Sequence, residues 1–469
     1  MKQLKKLAKK VYLLLKKPYC FFCVKKILKL YNKNQYDELS NLEFEYLNIL
    51  KERDINKFKE VKNKIESYNI DRLKNNSNIE VGFVLYTQSM WSCDSLYKML
   101  EKDKRFIPYI LICKDANDMK KNDEKYNSAR DYFMNNKYNV IDYENSQFDI
   151  NDMDFVFYLT PFKVVPNSYN IRKMKMKVLT AYITYSFMVA DREKKFLLPV
   201  YQLTWRFFAD TSFYKKMMKE KCPTSDDNVV FCGYTRMDEF YNSNINHENE
   251  IWKLPKDCDK KVYKIIYAPH HSVFDENAGY STFDQNYKYI LEIAKKYSKN
   301  TSWIIKPHPL LRSRIIKNGF FKDEEEYDNY LKEWEKLPNA RVVTDGTYFD
   351  IFKSSDTMIL DSVSFLAEYQ YVHKPLLFLT RETQKFNEFG DHLKKILYCV
   401  PGDDYDGIDN YINEVLFKNN DYMKKERNNF FNKYLDYYTY NNKQLASEYV
   451  YSCLKDISNK KEVKKNEKK

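Results

Sequence analysis

The sequence predicts an α/β protein made of two doubly wound lobes, each built on a parallel sheet. From residue 79 onward, short apolar segments of strand length alternate with helical segments, which is the pattern of a parallel sheet covered by helices on both faces. The alternation starts again after a polar stretch at 248–261 that contains Pro255. A length of 469 residues suits this division, because single domains hold roughly 100–200 residues.

In the first half, short segments rich in apolar, β-branched and aromatic residues are predicted as strands. They are 80–86, 107–113, 138–143, 155–160, 177–185 and 228–233. The segments 92–100 and 123–137 are predicted as helices, and 205–219 as a further helix.

In the second half, the predicted strands are 262–268, 302–306, 340–344, 357–360 and 376–379, and the predicted helices are 287–297, 309–317, 364–371 and the segments from 408 to about 457. Sheets of this kind bind ligands outside the carboxyl ends of their strands. We therefore expect four parts, with a site in the cleft between the two lobes. The parts are a helical N-terminal extension (1–78), a first lobe (79–250), a second lobe (251–457) and a basic tail (458–469).

The net charge of +13 is concentrated at the two ends of the chain. Residues 1–36 hold eleven lysines and no acid, and residues 459–469 hold six lysines against two glutamates, which leaves the body at −2. A nucleic-acid-binding protein normally carries its basic surface on the folded body. The charge distribution therefore argues against a nucleic-acid partner.

The N-terminal lysines alternate with apolar residues at helical spacing. Leu4, Leu7, Val11 and Leu14 fall on one side, and most of the lysines fall on another. This pattern is typical of a helix lying in an anionic membrane surface, although a packed helix with a solvated lysine face has the same spacing. No apolar run approaches the ~20 residues of a spanning helix, and no signal-peptide cleavage site follows. We expect a cytoplasmic protein bound peripherally to the inner face of the membrane.

Few residues of this chain suit the familiar phosphate or metal motifs. The eight glycines are too dispersed for a dinucleotide fingerprint or a P-loop. The pair Cys20 and Cys23 has metal-ligand spacing but lacks a second pair of ligands nearby. We expect no metal site, and a phosphate site that uses other donors.

Three segments of the second half place polar residues directly after predicted strands. The first contains His270 and His271. Either at least one of these histidines contacts a ligand, or they are simply solvated in the loop. The second contains Lys306 and His308, both held extended because each precedes a proline. Imidazole exchanges a proton near neutral pH, so His308 is a candidate catalytic residue, with a structural cap of the turn as the alternative.

The third segment begins a helix after the strand at 357–360. Asp361, Ser362 and Ser364 stand at the helix start, where such residues either cap the helix or bind an anion such as phosphate. Glu368 follows one turn later, where its carboxylate suits ribose hydroxyls. The three segments occur in order, each at a strand exit, which favours one shared site.

These segments resemble the CDP-glycerol glycerophosphotransferases, the teichoic-acid and capsule polymerases of GT-B fold. The matching stretches are CGYTRMDEF, YAPHHSV, WIIKPHPLLRS and DIFKSSDTMILDSVSFLAEYQYVHKPLLFL, and FVLYTQSMWSCDSLYKMLEKDKRFIPYILI resembles the start of one branch. The resemblance covers roughly residues 80 to 455. It implies a two-lobed GT-B fold, transfer of glycerol phosphate or a related polyol phosphate from a CDP-alcohol to a polymer or lipid-linked acceptor with release of CMP, and no metal or other cofactor.

The resemblance also implies roles for individual residues. His308 matches the histidine regarded as catalytic, while Asp361, Ser362 and Ser364, with Lys306 nearby, match the donor-phosphate site. Glu368 matches the ribose-binding glutamate. Known members have a further histidine in the first lobe, where this chain has 182–186, so His308 or one of His270 and His271 must act as the base. A nucleotide-sugar glycosyltransferase and a silent scaffold of capsule assembly are the alternatives.

Overall fold

A computed structural model describes residues 55–459, except for 116–122, 145–147, 149–151, 163–164, 167–168, 176, 243–250, 256–260, 275–278 and 345–347. The predicted membrane-binding segment 1–36, the pair Cys20 and Cys23 and the tail from residue 460 lie outside the described residues. Among the helices that are described, none is long and apolar enough to cross a membrane.

The first lobe is built on a parallel sheet of seven strands. The strand order is β3-β2-β1-β4-β5-β6-β7. The strands are β1 (Ile79–Leu85), β2 (Phe106–Ile112), β3 (Val140–Asp142), β4 (Phe155–Tyr158), β5 (Leu179–Ile183), β6 (Arg206–Ala209) and β7 (Val229–Phe231). Strands β4 and β5 are buried at every position, as expected for a sheet covered on both faces.

The second lobe repeats the architecture with six parallel strands in the order β10-β9-β8-β11-β12-β13. They are β8 (Tyr263–Ala268), β9 (Thr301–Ile305), β10 (Ala340–Val342), β11 (Thr357–Leu360), β12 (Leu376–Thr380) and β13 (Tyr398–Pro401). In both sheets the chain winds outward from the first strand to one side and then to the other. The two predicted doubly wound lobes are confirmed.

Helices surround both sheets. Those of the first half are α1 (Ile55–Asn75), α2 (Asp94–Lys102), α3 (Asp123–Asn135), α4 (Ile171–Met174), α5 (Pro199–Leu203), α6 (Phe213–Lys221) and α7 (Asp238–Asn242). Those of the second half are α8 (Phe283–Lys296), α9 (Leu311–Lys317), α10 (Glu324–Lys336), α11 (Phe349–Ser354), α12 (Ser364–Glu368), α13 (Glu388–Lys394), α14 (Tyr405–Tyr411), α15 (Lys424–Tyr434), α16 (Tyr437–Tyr440) and α17 (Ala446–Ser458).

The first and last described helices both pack on the first lobe. Val61 and Ile65 of α1 are fully buried in its core, and Val450 and Leu454 of α17 pack with Leu96 of α2. The lobe therefore includes a helix that lies before its predicted start at 79 and one from the end of the chain.

The predicted helix at 205–219 is wrong. This segment forms strand β6 and helix α6, joined at Asp210, Thr211 and Ser212. Its aromatic residues Phe207 and Phe208 fit both patterns, because short apolar runs do not distinguish strand from helix. Strand β13 was not predicted.

A short antiparallel contact, which we term the clasp (188–191 with 385–387), joins the two lobes. Ala190 pairs with Phe386, the Asp191 N–H donates to the Lys385 carbonyl, and the Asn387 N–H donates to the Val189 carbonyl, each at 3.0 Å. The Asn387 side chain also donates to the Met188 carbonyl at 2.6 Å. The clasp holds the loop after β5 against the second lobe.

Candidate active site

Three histidines meet at the carboxyl ends of β8 and β9. These strands are neighbours in the sheet, so the loops that follow them emerge side by side, and the His308 N–H donates to the Pro269 carbonyl at 3.0 Å. The ring of His271 lies 4.1 Å from both other rings, and His270 and His308 are 5.2 Å apart, centroid to centroid. We call these three residues the histidine cluster.

The hydrogen bonds of two rings fix which nitrogen carries the proton. His308 Nδ1 accepts the Leu310 N–H at 3.1 Å. His270 Nδ1 accepts the Ser272 N–H at 3.3 Å and lies 2.8 Å from the Ser272 hydroxyl, whose oxygen accepts the Tyr280 N–H. A neutral imidazole has one donor and one acceptor nitrogen. Both rings therefore carry their proton on Nε2 and act there as hydrogen-bond donors.

The imidazoles of His270 and His308 are uncharged at neutral pH. Burial, together with the neighbouring His271, lowers the pKa of His308 to about 3. Burial also lowers the pKa of His270 well below its usual value, with smaller contributions from His271, His308 and Arg192. Rings of this kind donate hydrogen bonds at neutral pH without becoming cations.

The nitrogens of the cluster also lie within 4.8 Å of one another, a spacing that suits a metal ion. A metal-bound histidine donates its second ring N–H to an acceptor. In His270 and His308 the second nitrogen instead accepts backbone N–H groups. This donor set fits an oxygen-rich anion better than a metal.

Asp361 lies beneath the cluster, fully buried. Its Oδ1 accepts the His270 N–H at 2.5 Å, and its Oδ2 accepts the Thr282 N–H, the Ser281 hydroxyl at 3.0 Å and the Thr282 hydroxyl at 3.1 Å. Burial raises the pKa of this carboxyl to about 6, against the effect of these donors. The carboxylate therefore ties the loop after β8 to the start of α8. The sequence predicts a phosphate-binding role for Asp361, whereas its oxygens are turned to these protein donors.

The other predicted phosphate-binding residues lie around the same strand exits. Ser362 follows Asp361 and is buried, and Ser364 begins α12, which is only five residues long and continues into a 3₁₀ turn at 369–372. Lys306 is 8% exposed, and its N–H donates to the Tyr267 carbonyl between the two histidine loops. The structure thus brings these three residues to the exits of β9 and β11.

Glu368 connects the two lobes. It is 2% exposed and accepts a hydrogen bond from the Tyr348 hydroxyl. Arg236, which follows β7 in the first lobe, lies near both groups and donates to the carbonyls of Ser89 and Trp91 at 2.8 Å. Burial raises the pKa of Glu368, while Arg236 acts in the opposite direction. The predicted ribose-binding carboxylate is thus held by groups from both lobes.

The first lobe contributes a buried carboxyl and a cation to the same region. Asp210 follows β6 and is fully buried. Burial raises its pKa to about 8, with Thr184 and Thr211 acting against that rise and Glu368 adding to it. Arg192, directly after the clasp, is exposed and close enough to lower the pKa of His270.

Sequence reasoning did not identify Asp210, Arg236 or Tyr348 as site residues. Asp210 was hidden because the strand before it was interpreted as part of a helix. Arg236 lies in the quoted CGYTRMDEF stretch, directly after a predicted strand, and that position was the available signal. Tyr348 precedes a short helix and carries no comparable pattern.

A family model described as CDP-Glycerol:Poly(glycerophosphate) glycerophosphotransferase matches residues 173–454, more than half of the chain. The minor teichoic acid biosynthesis protein GgaB of Bacillus subtilis (strain 168) is 23% identical over 267 residues, which are 54% of this chain and 26% of that protein. The chain thus spans about a quarter of the length of this curated relative.

Solved structures show the same fold at low identity. A variant of the wall teichoic acid polymerase TagF matches with a TM-score of 0.53 at 12% identity, over 90% of this chain and 98% of that chain. MnaA of S. aureus, in a structure with UDP, matches with a TM-score of 0.52 at 14% identity, over 80% and 96%. The two-lobed GT-B arrangement predicted from the sequence is confirmed.

Proposed function

Because the chain belongs to the CDP-glycerol:poly(glycerophosphate) glycerophosphotransferase family, we propose that it transfers glycerol phosphate, or a related polyol phosphate, from a CDP-alcohol to a hydroxyl group of a lipid-linked or polysaccharide acceptor. CMP is the second product. The proposal is supported by the family match and by the histidine cluster at the strand exits, where a GT-B protein binds its donor.

The observation that carries the mechanism is the orientation of His270 and His308. Their Nδ1 atoms accept backbone N–H groups, which leaves the proton on Nε2, where it can be donated to a ligand oxygen. Fixed donors that meet developing negative charge on phosphate oxygens lower the barrier to phosphoryl transfer. Neutral rings donate throughout the physiological pH range, so this contribution does not depend on protonation.

In the proposed reaction, the acceptor hydroxyl oxygen attacks the phosphorus that carries the glycerol. A new phosphorus–oxygen bond forms as the bridging bond to CMP breaks, and the hydroxyl proton passes to a base. His270 and His308 have Nδ1 engaged and Nε2 protonated, so we assign the base to His271, which lies between them. The leaving CMP carries the bridging oxygen.

The remaining predicted residues are assigned to the donor. We place the phosphates near Ser362, Ser364 and Lys306, and the ribose hydroxyls at Glu368. Asp361 is assigned a positioning role, since its carboxylate holds the His270 loop. No step of this scheme is routed through a metal or other cofactor.

The test is nucleotide release from a panel of donors. The full chain is incubated with CDP-glycerol, CDP-ribitol and UDP-glucose together with a membrane extract as acceptor, and free nucleotide is measured. We expect CMP from a CDP-alcohol. His308→Gln should lower the rate about 10²–10³-fold, whereas His392→Gln, a histidine of α13 outside the cluster, should leave it unchanged.

Two results would contradict the proposal. UDP release from UDP-glucose without turnover of either CDP-alcohol would favour a glycosyltransferase. Donor binding without turnover of any donor would favour a scaffold. If His271 is the base, His271→Gln should lower the rate about 10²–10⁴-fold.

We also propose that residues 1–36 bind the anionic inner face of the cell membrane. Eleven lysines without an acid support it, since each lysine near an anionic surface contributes about 1 kcal/mol. Removal of residues 1–36 should abolish sedimentation of the protein with phosphatidylglycerol vesicles. The rate of CMP release in the presence of a soluble acceptor should be unchanged. Unchanged sedimentation would contradict this.

A further inference from the structure

A cavity of about 310 Å³ lies between the two lobes, on the side where the chain passes from one to the other. Tyr371 and His373 of its wall precede β12, so the cavity is at the amino edge of the second sheet. The histidine cluster lies at the opposite edge, after β8 and β9. Nothing in the proposed transfer uses this cavity.

Aromatic rings form most of the wall. Tyr241 and Tyr438 stack with centroids 4.9 Å apart, and Tyr371 stands perpendicular to Tyr241 at 6.5 Å. Phe431 meets Tyr371 edge-on at 5.1 Å. Tyr241 comes from the first lobe, Tyr371 from the second, and Phe431 and Tyr438 from the helices that lead back across, so the wall belongs to both lobes.

Two groups of opposite charge stand in the same wall. Asp436 caps α16, its Oδ1 accepting the Thr439 N–H at 3.0 Å. Lys443 places its ammonium 5.3 Å from the centroid of the Tyr438 ring. Lys443 and the preceding Asn442 both have a left-handed backbone, with φ of 68° and 55°. Non-glycine residues in this conformation recur at ligand clamps.

These features favour a neutral, hydroxylated ligand. The carboxylate of Asp436 disfavours a bare anion, and the ammonium of Lys443 disfavours a bare cation. A sugar ring has an apolar C–H face that suits tyrosine rings and hydroxyls at its edge that donate to a carboxylate and accept from an ammonium. A volume at the lower end of ligand pockets, about 300–1,000 Å³, accommodates one ring.

The geometry points to a second binding site, separate from the proposed donor site, that holds one neutral sugar or cyclic polyol unit between the tyrosine rings and the pair Asp436 and Lys443. Such a unit occurs in surface polymers, so this site gives the protein a second point of binding to a polymer acceptor of the proposed reaction. Two weak binding sites that engage one polymer chain raise the overall affinity of the protein for that chain. Since both lobes form the wall, an occupant also stabilises their docked arrangement.

Direct binding to the full chain tests this inference without any turnover. Saturation-transfer NMR is run with methyl α-D-glucopyranoside, choline and glycerol 3-phosphate as separate probes. We expect the glycoside to bind with a dissociation constant of about 1–10 mM and to remain bound when CDP is added. Tyr438→Ala should weaken it about tenfold, whereas Tyr422→Ala, an exposed tyrosine outside the cavity, should not.

A second variant keeps the test decisive if Tyr438→Ala unfolds. Asp436→Asn retains a side chain that caps a helix equally well and removes the charge, so glycoside binding should weaken several-fold with an unchanged circular dichroism spectrum. The inference is overturned if the glycoside does not bind, if both variants bind it as the wild type does, if CDP displaces it, or if choline or glycerol 3-phosphate binds there instead.

Discussion

Replacing Asp361 by asparagine tests whether this residue holds the histidine loop or binds the donor. The asparagine has the same shape but only one acceptor oxygen. With that oxygen turned to Ser281 and Thr282, its amide N–H₂ faces the His270 N–H, and a buried donor loses its partner at a cost of about 1–3 kcal/mol. The other bonds lose their charge-assisted part, which is about 1 kcal/mol each. These losses sum to about 4–6 kcal/mol over the one lost and three weakened bonds. Removing the buried charge, whose desolvation raises the pKa of Asp361 to about 6, offsets part of that sum, so we expect a net destabilisation of about 3–5 kcal/mol.

Thermal unfolding is the assay, run at pH 8 so that Asp361, with its pKa near 6, is ionised in the wild type. For a lobe of about 200 residues, 1 kcal/mol shifts the midpoint by about 2–4 °C, so the midpoint should fall by about 10 °C. The control is Asp403→Asn, an exposed aspartate whose substitution should cost less than about 0.5 kcal/mol. An unchanged midpoint combined with loss of CMP release would refute the positioning role and place the carboxylate at the donor phosphates.

Three further predictions concern other parts of the fold. The folded-state pKa of His308, about 3, lies below its unfolded value of about 6.5, so the unfolded chain binds more protons between these values. Through this residue, the free energy of unfolding should therefore fall by about 2 kcal/mol from pH 7 to pH 5. When the free energy of unfolding is measured by urea denaturation at each pH, it should depend less steeply on pH in His308→Gln than in the wild type, and an equal dependence in the two proteins would contradict this. Gly233 has φ of 96°, and a Cβ added there would meet the Tyr437 ring. Gly319 has φ of 72°, but the space around it is open. Gly233→Ala should therefore lower the thermal midpoint more than Gly319→Ala, and equal shifts of the midpoint would show that the Tyr437 ring moves aside. Asn387→Ala removes the side-chain bond of the clasp and the cap of α13, and should speed proteolytic cleavage between the lobes, which an unchanged cleavage rate would contradict.

The fold was predictable because its strands are short apolar runs separated by polar helices. All eleven predicted strands appear within two residues of their observed bounds. The segment 205–219 failed because aromatic residues continue from a strand into a helix with only a three-residue turn between them. Asp210, in that turn, was therefore not recognised as a residue at a strand exit.

The histidine cluster was predictable in part. Neighbouring parallel strands bring their exits together, so His270, His271 and His308 follow from the order of the strands. The contacts of Glu368 do not follow in the same way. Arg236 reaches it only once the lobes have docked, and Tyr348 lies 20 residues before it in the sequence with no pattern that marks it as a partner. The engagement of Asp361 likewise depends on α8, which is remote from it in the sequence and carries no pattern that would identify its partners.

The position of α17 has a consequence for synthesis on the ribosome. Val450 and Leu454 complete the apolar interior around Leu96, yet more than 350 residues of chain separate them from it. The lobe whose strands are translated first is thus the last to become whole, and the growing polypeptide exposes an unfinished apolar surface until its final helix has emerged. A chaperone that binds nascent chains would remain bound longest at this surface. Ribosome-stalled fragments that end before residue 446 should therefore have the chaperone bound, whereas the released protein should not.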